Sequence, residues 1–508
     1  MTPDTIALQP DACYLALKAR DARFDGCFFT GVTSTGIYCR PVCKVRTPKR
    51  ENCRFFGLAA QAESAGFRPC LRCRPELAPG SLVWSTQDAS RILALQAARL
   101  LDEPEAWDAE PPTVAALARR LGVSDRHLRR LFETQLGVTP MQYLHTRRLL
   151  SAKQLLADTD LPVAEVALAS GFASVRRFNT AFADHYGLNP SALRRTARHT
   201  PALHSTATTS IRLAFRPPYD IDAMLDFFRQ RQLAGVEWVS PPGAAPQWGR
   251  TLQLASGGRT WTGWLMARFD AERHGVVAEV ADSLRPVLPL VIRRLRATLD
   301  LDAAPKAINA VLHPAFPEGD GLRVPGTLDG FELAVRAVLG QQITVAAART
   351  LALRLVAAVG EPITTPHPEL NRLFPTATAL LDLGASALGE LGIVRQRQAA
   401  ILALAQAVSQ QTLALHGGAP VHDTVAALTQ LPGVGDWTAQ YIAMRALRWP
   451  DAFPAGDVAL HTALRIPKGP GAARQAQALS APWKPWRSYA VVRAWASASP
   501  SLPKVPSP

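Results

Sequence analysis

Cysteine disappears from the sequence after residue 73, since all seven cysteines of the 508-residue chain come before that point. No apolar run reaches the roughly 18 residues that a membrane-spanning helix needs, and the first residues lack the basic-then-apolar pattern of a secretion signal. Thiols that are free or bound to metal persist in a reducing compartment. We therefore expect a soluble, cytoplasmic protein with no membrane partner.

Acidic residues are also scarce. The chain has 41 Asp and Glu against 56 Lys and Arg, so its formal net charge is +15, and its pI is near 10.0. This excess favours a polyanionic partner, although charge alone does not separate DNA from RNA or from an acidic membrane surface. The length predicts about three domains, or four if some are small.

Four of the cysteines form two close pairs, Cys39 with Cys43 and Cys70 with Cys73. Two such pairs are what tetrahedral Zn²⁺ needs, because each pair holds the ion from one turn and the intervening chain closes around it. The sequence therefore predicts a zinc site with these four ligands. Spacing alone leaves open whether the site is a structural knuckle or a reactive centre.

The residues around these pairs, 35–43 and 66–73, resemble the Ada-type zinc domain that repairs methyl phosphotriesters in DNA, over roughly residues 10–80. The resemblance implies that Cys39 accepts the methyl group. Zinc ligation keeps a thiol as thiolate, the form that attacks carbon. Methylation then removes one negative charge beside the DNA, so repair should strengthen DNA binding and act as a switch. Candidate phosphate contacts are Arg40, Lys44, Arg46 and Arg68.

Between residues 88 and 196 the pattern is helical and basic, and the same unit occurs twice, about 49 residues apart. In each copy a short amphipathic helix ends at a glycine and a second helix begins at a serine cap. The two copies, with a helix predicted between them over 141–157, resemble the AraC-type regulator domain. This resemblance implies promoter binding to double-stranded DNA and RNA polymerase as a partner. Candidate DNA contacts on the second helices are Arg126, Arg129, Arg130, Arg176, Arg177 and Asn179.

Residues 431–439 predict a hairpin between two helices, in which Gly433 and Gly435 permit backbone conformations that other residues resist. Alone, such a hairpin often means nonspecific DNA binding. Together with Asp457 further along the chain, it resembles the helix-hairpin-helix DNA glycosylases. Segments 215–220, 331–342 and 483–490 narrow the resemblance to AlkA-type 3-methyladenine DNA glycosylase II, over about residues 210–495.

The glycosylase resemblance implies that Asp457 is the catalytic carboxylate, a role that is compatible with a helix cap at the same residue. Bifunctional relatives carry a Schiff-base lysine where this chain has Trp437, so we expect a monofunctional enzyme. Trp437, Tyr441 and Trp483 are the candidate pocket for a flipped, cationic base, with Trp486 as an alternative to Trp483. Gln342 stands where a related enzyme uses an apolar wedge.

The whole chain thus resembles an Ada–AlkA fusion with a multidomain, mainly α fold. We expect a small zinc-bound α/β knuckle, an all-α double helix-turn-helix domain, a small α/β subdomain and an all-α helix-hairpin-helix glycosylase domain. The predicted ranges are 1–80, 85–198, 210–312 and 320–498, with a linker over 196–210 and a proline-rich, disordered tail over 500–508.

The function that this resemblance implies is DNA alkylation repair by a monomer associated with the nucleoid. We expect excision of 3-methyladenine and 7-methylguanine, methyl transfer to Cys39 and methylation-sensitive transcriptional regulation. Repair of O6-methylguanine is not expected, because no late cysteine is present to accept that group. Two alternatives stay open. The chain could be a transcription regulator whose glycosylase-like half only binds DNA, or a glycosylase whose upstream domains only tether it to alkylated DNA.

Overall fold

The computed structural model describes residues 8–80, 89–103, 107, 111–197, 208–256 and 258–498. The chain divides into two compact units. The first comprises Met1–Pro217, Gln253–Arg296 and Leu301–Ala304, and the second comprises Pro218–Leu252, Ala297–Asp300 and Pro305–Pro508. Most of the predicted linker (198–207) and the tail (499–508) lie outside the described residues, within which no helix is long and apolar enough to cross a membrane.

The first unit begins with a small α/β knuckle. Its helices are α1 (Pro10–Ala19) and α2 (Ala59–Ser64), and its strands are β1 (Phe29–Val32), β2 (Ile37–Cys39), β3 (Cys53–Phe56) and β4 (Arg68–Pro69). The strand order is β3-β1-β2-β4, with β1 antiparallel to β2 and β3, and β2 parallel to β4. Since β2 ends at Cys39 and β4 leads directly into Cys70, the pairing of Tyr38 with Pro69 brings the two cysteine pairs together.

A helical domain follows in the same unit. Its helices are α3 (Ala89–Asp102), α4 (Val114–Arg120), α5 (Asp125–Leu136), α6 (Pro140–Asp158), α7 (Val163–Ala169), α8 (Val175–Tyr186) and α9 (Pro190–Ala197). Both predicted helix-turn-helix copies are confirmed. The turns use Gly122 and Gly171 at positive φ, and the hydroxyls of Ser124 and Ser174 cap α5 and α8. We call α5 and α8 the recognition helices.

The rest of the first unit contains β5 (Thr208–Ala214), which begins in the last part of the predicted linker. The strands β8 (Arg259–Asp270) and β9 (Gly275–Ala281) belong to the same sheet, and β9 pairs antiparallel with both β5 and β8. Alternate residues of β5 are buried, as a half-buried strand requires. The helix α11 (Leu288–Thr298) follows β9.

The second unit is mainly helical. It begins with α10 (Ile221–Arg231), β6 (Glu237–Val239) and β7 (Gln247–Ser256), and β6 pairs antiparallel with the part of β7 that belongs to this unit. The later helices are α12 (Pro305–Leu312), α13 (Gly330–Leu339), α14 (Val345–Val359), α15 (Ala377–Glu390), α16 (Arg395–Ser409), α17 (Val421–Gln430), α18 (Asp436–Arg445), α19 (Val458–Ala463), α20 (Ala472–Leu479) and α21 (Arg487–Ala498). The apolar faces of α13, α16 and α18 share one core, which includes Val338, Ile401 and Ile442. Helices predominate in the described residues, as the predicted fold class requires.

Candidate functional site

The four cysteines of the knuckle form one cluster. The Sγ atoms of Cys39, Cys43, Cys70 and Cys73 all lie within 4.8 Å of one another. A ZnS₄ tetrahedron with Zn–S distances of about 2.3 Å has S–S edges of about 3.8 Å, so the spacing fits a tetrahedral ion. An all-sulfur donor set is the one that Zn²⁺ or an iron–sulfur centre prefers. Hydrogen bonds among the four thiols lower the pKa of Cys43 and Cys70, whereas hydrogen bonds with Cys43 and Cys70 raise the pKa of Cys39 and burial raises that of Cys73.

Exposure does not single out Cys39 as the reactive sulfur. Cys39 is buried, as are Cys43 and Cys70, whereas Cys73 is partly exposed. The assignment of the methyl acceptor therefore stays a prediction from the family resemblance.

Arg40 donates hydrogen bonds to the cysteine cluster from within the fold. Its backbone N–H donates to Cys73 Sγ at 3.3 Å, and its guanidinium donates to the carbonyl oxygen of Cys73 at 3.0 Å. The same guanidinium pairs with the buried Asp25 carboxylate. Arg40 thus has internal partners, which differs from the solvent-facing phosphate contact that the sequence suggested. Lys44, Arg46 and Arg68 are exposed.

The recognition helices present a basic surface. Their exposed side chains include every residue that the sequence nominated for DNA contact: Arg126, Arg129 and Arg130 on α5, and Arg176, Arg177 and Asn179 on α8. The opposite faces bury Phe132 and Phe178. This amphipathic division leaves the basic face of each helix free to enter a groove of a duplex.

The predicted hairpin joins α17 to α18. Gly433 has a φ of 74°, in the left-handed region that favours glycine. Gly435 has a φ of −88°, which any residue can adopt, so the expectation of a special conformation there was wrong. The space around Gly435 is instead open, with no atom within 4 Å of a Cβ placed on it. Gly435 is exposed, so a side chain at this position would point into open space.

Gln341 ties the hairpin to the end of α13. Its side-chain amide donates to the carbonyl oxygen of Gly433 at 2.8 Å and to the Thr438 hydroxyl at 2.9 Å. The next residue, Gln342, is exposed and has a φ of 55°. The candidate wedge residue thus follows directly the residue that fixes the hairpin.

The Asp457 carboxylate is held by three N–H donors. The backbone N–H of Leu460 donates at 2.7 Å, which makes Asp457 the cap of α19. The indole Nε1 of Trp437 donates to Oδ2 at 2.8 Å, and that of Trp495 donates to Oδ1 at 3.1 Å. Asp457 is 8% exposed, so its charge is oriented in a site from which most water is excluded.

Trp437 and Tyr441 form a joint aromatic face beside this carboxylate. Their rings are nearly parallel, at 14°, with centroids 5.4 Å apart. The Tyr441 hydroxyl accepts from Arg445 Nη1 at 2.6 Å. Burial by itself raises the pKa of Tyr441, but the guanidinium groups of Arg445 and Arg231 outweigh it and lower the pKa below the ordinary value.

The third predicted pocket residue, Trp483, has a different environment. It is buried, and its ring packs edge to face on Phe316 with centroids 5.2 Å apart. Trp486 packs on Tyr489. The second indole on the carboxylate belongs to Trp495, which sequence reasoning missed. Trp495 follows a mostly apolar stretch of α21 that Arg493 interrupts, a pattern that indicates core packing as readily as a site.

Four family models match the chain in succession: the metal binding domain of Ada over residues 12–76, a helix-turn-helix domain over 117–196, the AlkA N-terminal domain over 210–329, and the HhH-GPD superfamily base excision DNA repair protein over 335–487. Fold and sites together define the class: a helix-hairpin-helix DNA glycosylase domain joined to an Ada-type metal-binding domain and a helix-turn-helix domain.

Relatives of known name agree with that class. The chain is 38% identical over 493 residues to the probable bifunctional transcriptional activator/DNA repair enzyme AlkA of Mycobacterium tuberculosis (strain CDC 1551 / Oshkosh), with 96% of each chain covered. It is 33% identical over 283 residues to DNA-3-methyladenine glycosylase 2 of Escherichia coli (strain K12), covering 56% of this chain and 95% of that protein. Over 165 residues it is 36% identical to the bifunctional transcriptional activator/DNA repair enzyme Ada of the same strain, covering 32% of this chain and 43% of Ada. The chain belongs to the Ada–AlkA family of bifunctional DNA repair and transcription-activator proteins.

Proposed function

We propose that the second unit is a monofunctional DNA glycosylase that excises alkylated purines such as 3-methyladenine and 7-methylguanine. The observation that carries this proposal is the Asp457 carboxylate, fixed by two indole donors beside the stacked Trp437–Tyr441 face. Alkylated purines are cationic, and a cation is attracted to an electron-rich aromatic face. A base flipped out of the duplex would therefore stack there, close to the catalytic carboxylate.

The proposed reaction needs one anionic group and one water. As the bond from the sugar C1′ to the base nitrogen breaks, the base leaves with the electron pair and the sugar gains positive charge. The Asp457 carboxylate stabilises that charge and orients or deprotonates the water, whose oxygen bonds to C1′. The products are a free base and an abasic site in an uncut strand. Trp437 cannot form a Schiff base, so no strand cleavage is expected.

The decisive experiment is an assay on alkylated duplex DNA with released bases scored by chromatography. Release of 3-methyladenine is the expected result. A protein that binds this DNA but releases no base would support the competing function, a transcription regulator whose glycosylase-like half only grips DNA. Borohydride should trap no covalent adduct between protein and DNA, and a trapped adduct would contradict the monofunctional mechanism.

We further propose that the knuckle binds Zn²⁺ through its four cysteines and accepts a methyl group from DNA phosphotriesters at Cys39. Bound zinc would keep the sulfurs as thiolates at neutral pH. The Cys39 sulfur attacks the methyl carbon, an S–C bond forms, and the phosphodiester leaves with the electrons of the broken C–O bond. No group removes the methyl afterwards, so each protein reacts once. Lys44 and Arg46 are exposed nearby in sequence and would contact the flanking phosphates.

The helix-turn-helix domain is proposed to activate transcription when Cys39 is methylated, with the chain acting as a monomer and with RNA polymerase as its partner. Methylation removes one negative charge near the DNA, which favours phosphate binding. A methylation-dependent footprint on a promoter would support this role. An unchanged footprint would favour the alternative in which the upstream domains only tether the glycosylase.

A further inference from the structure

The last residue of each recognition helix is capped by a side chain of the knuckle. Gln61 Nε2 donates to the carbonyl oxygen of Leu136, the last residue of α5, at 2.9 Å. Arg68 Nη1 donates to the carbonyl oxygen of Tyr186, the last residue of α8, at 3.3 Å. Leu136 and Tyr186 occupy equivalent positions in the two repeats. The carbonyl groups at the end of a helix lack partners within the helix and carry partial negative charge, so a donor there is stabilising.

A glycine after each recognition helix leaves room for these caps. Gly137 and Gly187 have φ values of 70° and 68°. A Cβ on Gly137 would lie 2.9 Å from Gln61 Nε2, and one on Gly187 would lie 2.6 Å from Arg68 Nη1. These distances are shorter than carbon atoms tolerate, so any side chain at either position would push the capping group away. The same arrangement therefore exists at the end of both repeats.

A buried carboxylate of the knuckle connects the strand that carries Cys39 with two helices of the helix-turn-helix domain. Glu63, at the end of α2, has a side chain that is 4% exposed. Its Oε1 accepts from the hydroxyl of Tyr38 at 2.8 Å and lies 3.1 Å from Nε2 of His185 on α8. Its Oε2 accepts from the hydroxyl of Thr146 on α6. Tyr38 is fully buried and directly precedes Cys39 in β2.

The helix between the two repeats is anchored to the cysteine cluster itself. Lys153 of α6 is 2% exposed, and its Nζ donates to the carbonyl oxygen of Cys70 at 3.4 Å and pairs with Glu76. At the end of α6, Asp158 pairs with Arg74 at 2.5 Å. Removing one partner of a buried ion pair leaves an uncompensated charge, so these contacts resist separation. The residues that hold α6 thus adjoin the metal ligands.

We propose that the knuckle clamps the double helix-turn-helix domain, with Gln61, Glu63 and Arg68 as positioning residues that fix the two recognition helices in the spacing that reads DNA. A small four-cysteine domain owes much of its folding free energy to its metal. Metal binding at the cluster would therefore set the DNA affinity of helices that contain no metal ligand. Only the response to methyl transfer rests on the proposed function, because the clamp itself needs only a folded knuckle.

Gln61→Glu isolates one cap. The variant keeps the side-chain oxygen that accepts from the N–H groups of Gly57 and Leu58 at 2.9 and 3.2 Å, but it loses the donor to Leu136. Gln135→Glu is the matched control, since it places the same negative charge beside Leu136 on α5 itself. Glu63→Gln keeps one acceptor oxygen, for either the Tyr38 or the Thr146 hydroxyl, places an NH₂ donor at the other position, and removes the charge that faces His185.

Two measurements on the full chain test the clamp. The first is affinity for a duplex selected by the unmodified protein from a random-sequence pool, where Gln61→Glu should bind roughly 3- to 10-fold more weakly than Gln135→Glu. The second is hydrogen exchange without DNA, in which the Gly137 amide should exchange faster in Gln61→Glu and the Gly187 amide should not change. Equal affinity and equal exchange in Gln61→Glu and Gln135→Glu would overturn the clamp.

Removal of the metal by a chelator tests whether the clamp residues connect metal binding to DNA affinity or only stabilise the fold. Chelation should weaken binding of the unmodified protein strongly, and should weaken a Gln61→Glu, Glu63→Gln double variant less, because two of its three clamp residues are already altered. Fully additive losses would contradict the proposal. Methyl transfer to Cys39 is measured on the same samples by mass. If no methyl group reaches Cys39 but chelation and the clamp substitutions still act non-additively on DNA affinity, only the proposed methyl switch is refuted. If methyl transfer is normal but the two effects are additive, only the clamp is refuted.

Discussion

The carboxylate of Asp457 has little freedom to reorient, because three N–H groups donate to its two oxygens. An electrostatic catalyst needs this property: a charge that is already in place when the transition state forms costs no reorganisation. One of these bonds, from the Leu460 backbone N–H, makes the residue a helix cap. The structural and catalytic interpretations of Asp457 are therefore two consequences of one arrangement.

Asp457→Asn should reduce release of 3-methyladenine by about 10²–10³-fold while DNA binding persists. The substitution keeps the shape and an acceptor for Leu460, but it removes the negative charge that the developing sugar cation needs. Single-turnover base release and DNA affinity, measured on the same preparation, check this expectation. Near-normal excision would mean that another carboxylate, or the cationic leaving group alone, drives the reaction.

Trp495→Phe should slow base release roughly 10- to 100-fold, since it removes a hydrogen bond to a charged group. Trp449→Phe is the control, because Phe can keep the edge-to-face packing on His422 and the Trp449 indole is not among the three donors to Asp457. Single-turnover rates of the two variants, with thermal melting as the check on folding, give the comparison. Equal rates for both would show that the Trp495 bond is dispensable.

Sequence reasoning located Asp457 and Trp437 because each lies beside a distinctive turn, and it missed Trp495 because nothing local marks that residue. Its indole reaches Asp457 across 38 positions of the chain, a contact that only the packing of α21 on α19 creates. Trp483 lies in a recognisable motif and is buried against Phe316, and its place in the base pocket stays a prediction.

Helix α18 places Trp437, Tyr441 and Arg445 on one face, since they follow one another at intervals of four residues. The spacing predicted that Trp437 and Tyr441 would be neighbours, and their rings lie nearly parallel with centroids 5.4 Å apart. Arg445 adds a cation behind the phenol, where it also donates to the carbonyl oxygens of Pro325 and Gly326. One helix face thus carries the two rings of the candidate base pocket and the guanidinium that lowers the pKa of Tyr441.

Tyr441→Phe should lower stability at alkaline pH more than at neutral pH. Arg445 and Arg231 lower the pKa of Tyr441 in the folded protein despite its burial. The folded state therefore loses this proton at a lower pH than the unfolded state, and stability from Tyr441 grows as pH rises through the lowered pKa and is complete above about 10.

Urea unfolding of the unmodified protein and of Tyr441→Phe across that pH range checks the sign. The difference between the two proteins is the relevant quantity, because burial raises the pKa of other tyrosines and their effect on stability is opposite: Tyr38, Tyr143, Tyr186, Tyr219 and Tyr489. A difference that does not change with pH would contradict the lowered pKa.

The helix-turn-helix elements were predictable because serine and glycine mark where each helix begins and ends. The contacts of those helices with the knuckle were not predictable, since Gln61 and Leu136 are 75 positions apart. Local chemistry determines an element, whereas the partner of an exposed-looking side chain depends on the whole fold. Arg40 illustrates this: its sequence context favours phosphate, and its observed partner is Asp25.

At the scale of the whole molecule, the cysteine cluster and the Asp457 site belong to different compact units. Cys39→Ala should therefore abolish methyl transfer to protein and leave base excision largely intact. Methyl transfer is read by mass spectrometry of peptides, with metal content measured alongside because the variant lacks one ligand. A methyl group found on Cys43, Cys70 or Cys73 of the unmodified protein would overturn the choice of Cys39.

Methylated protein should bind its DNA site more tightly than unmethylated protein at low salt, and the advantage should shrink as salt rises. One thiolate charge fewer means less repulsion from the phosphates, and counterions screen that difference. Titrations of both forms at two salt concentrations give the answer. Equal affinities at low salt would remove the switch and leave both repair activities standing.

Arg216 sets a limit on how this chain can be divided. The residue is 2% exposed, and its guanidinium donates to carbonyl oxygens on both sides of the predicted linker: Asp25, Pro79 and Gly80 before it, and Asp302 and Ala303 after it. A fragment that starts at the linker would keep the last two acceptors and lose the first three. In such a fragment the Arg216 guanidinium, which is buried in the intact chain, would be exposed to water without three of its acceptors. A shortened protein should therefore carry a substitution at Arg216.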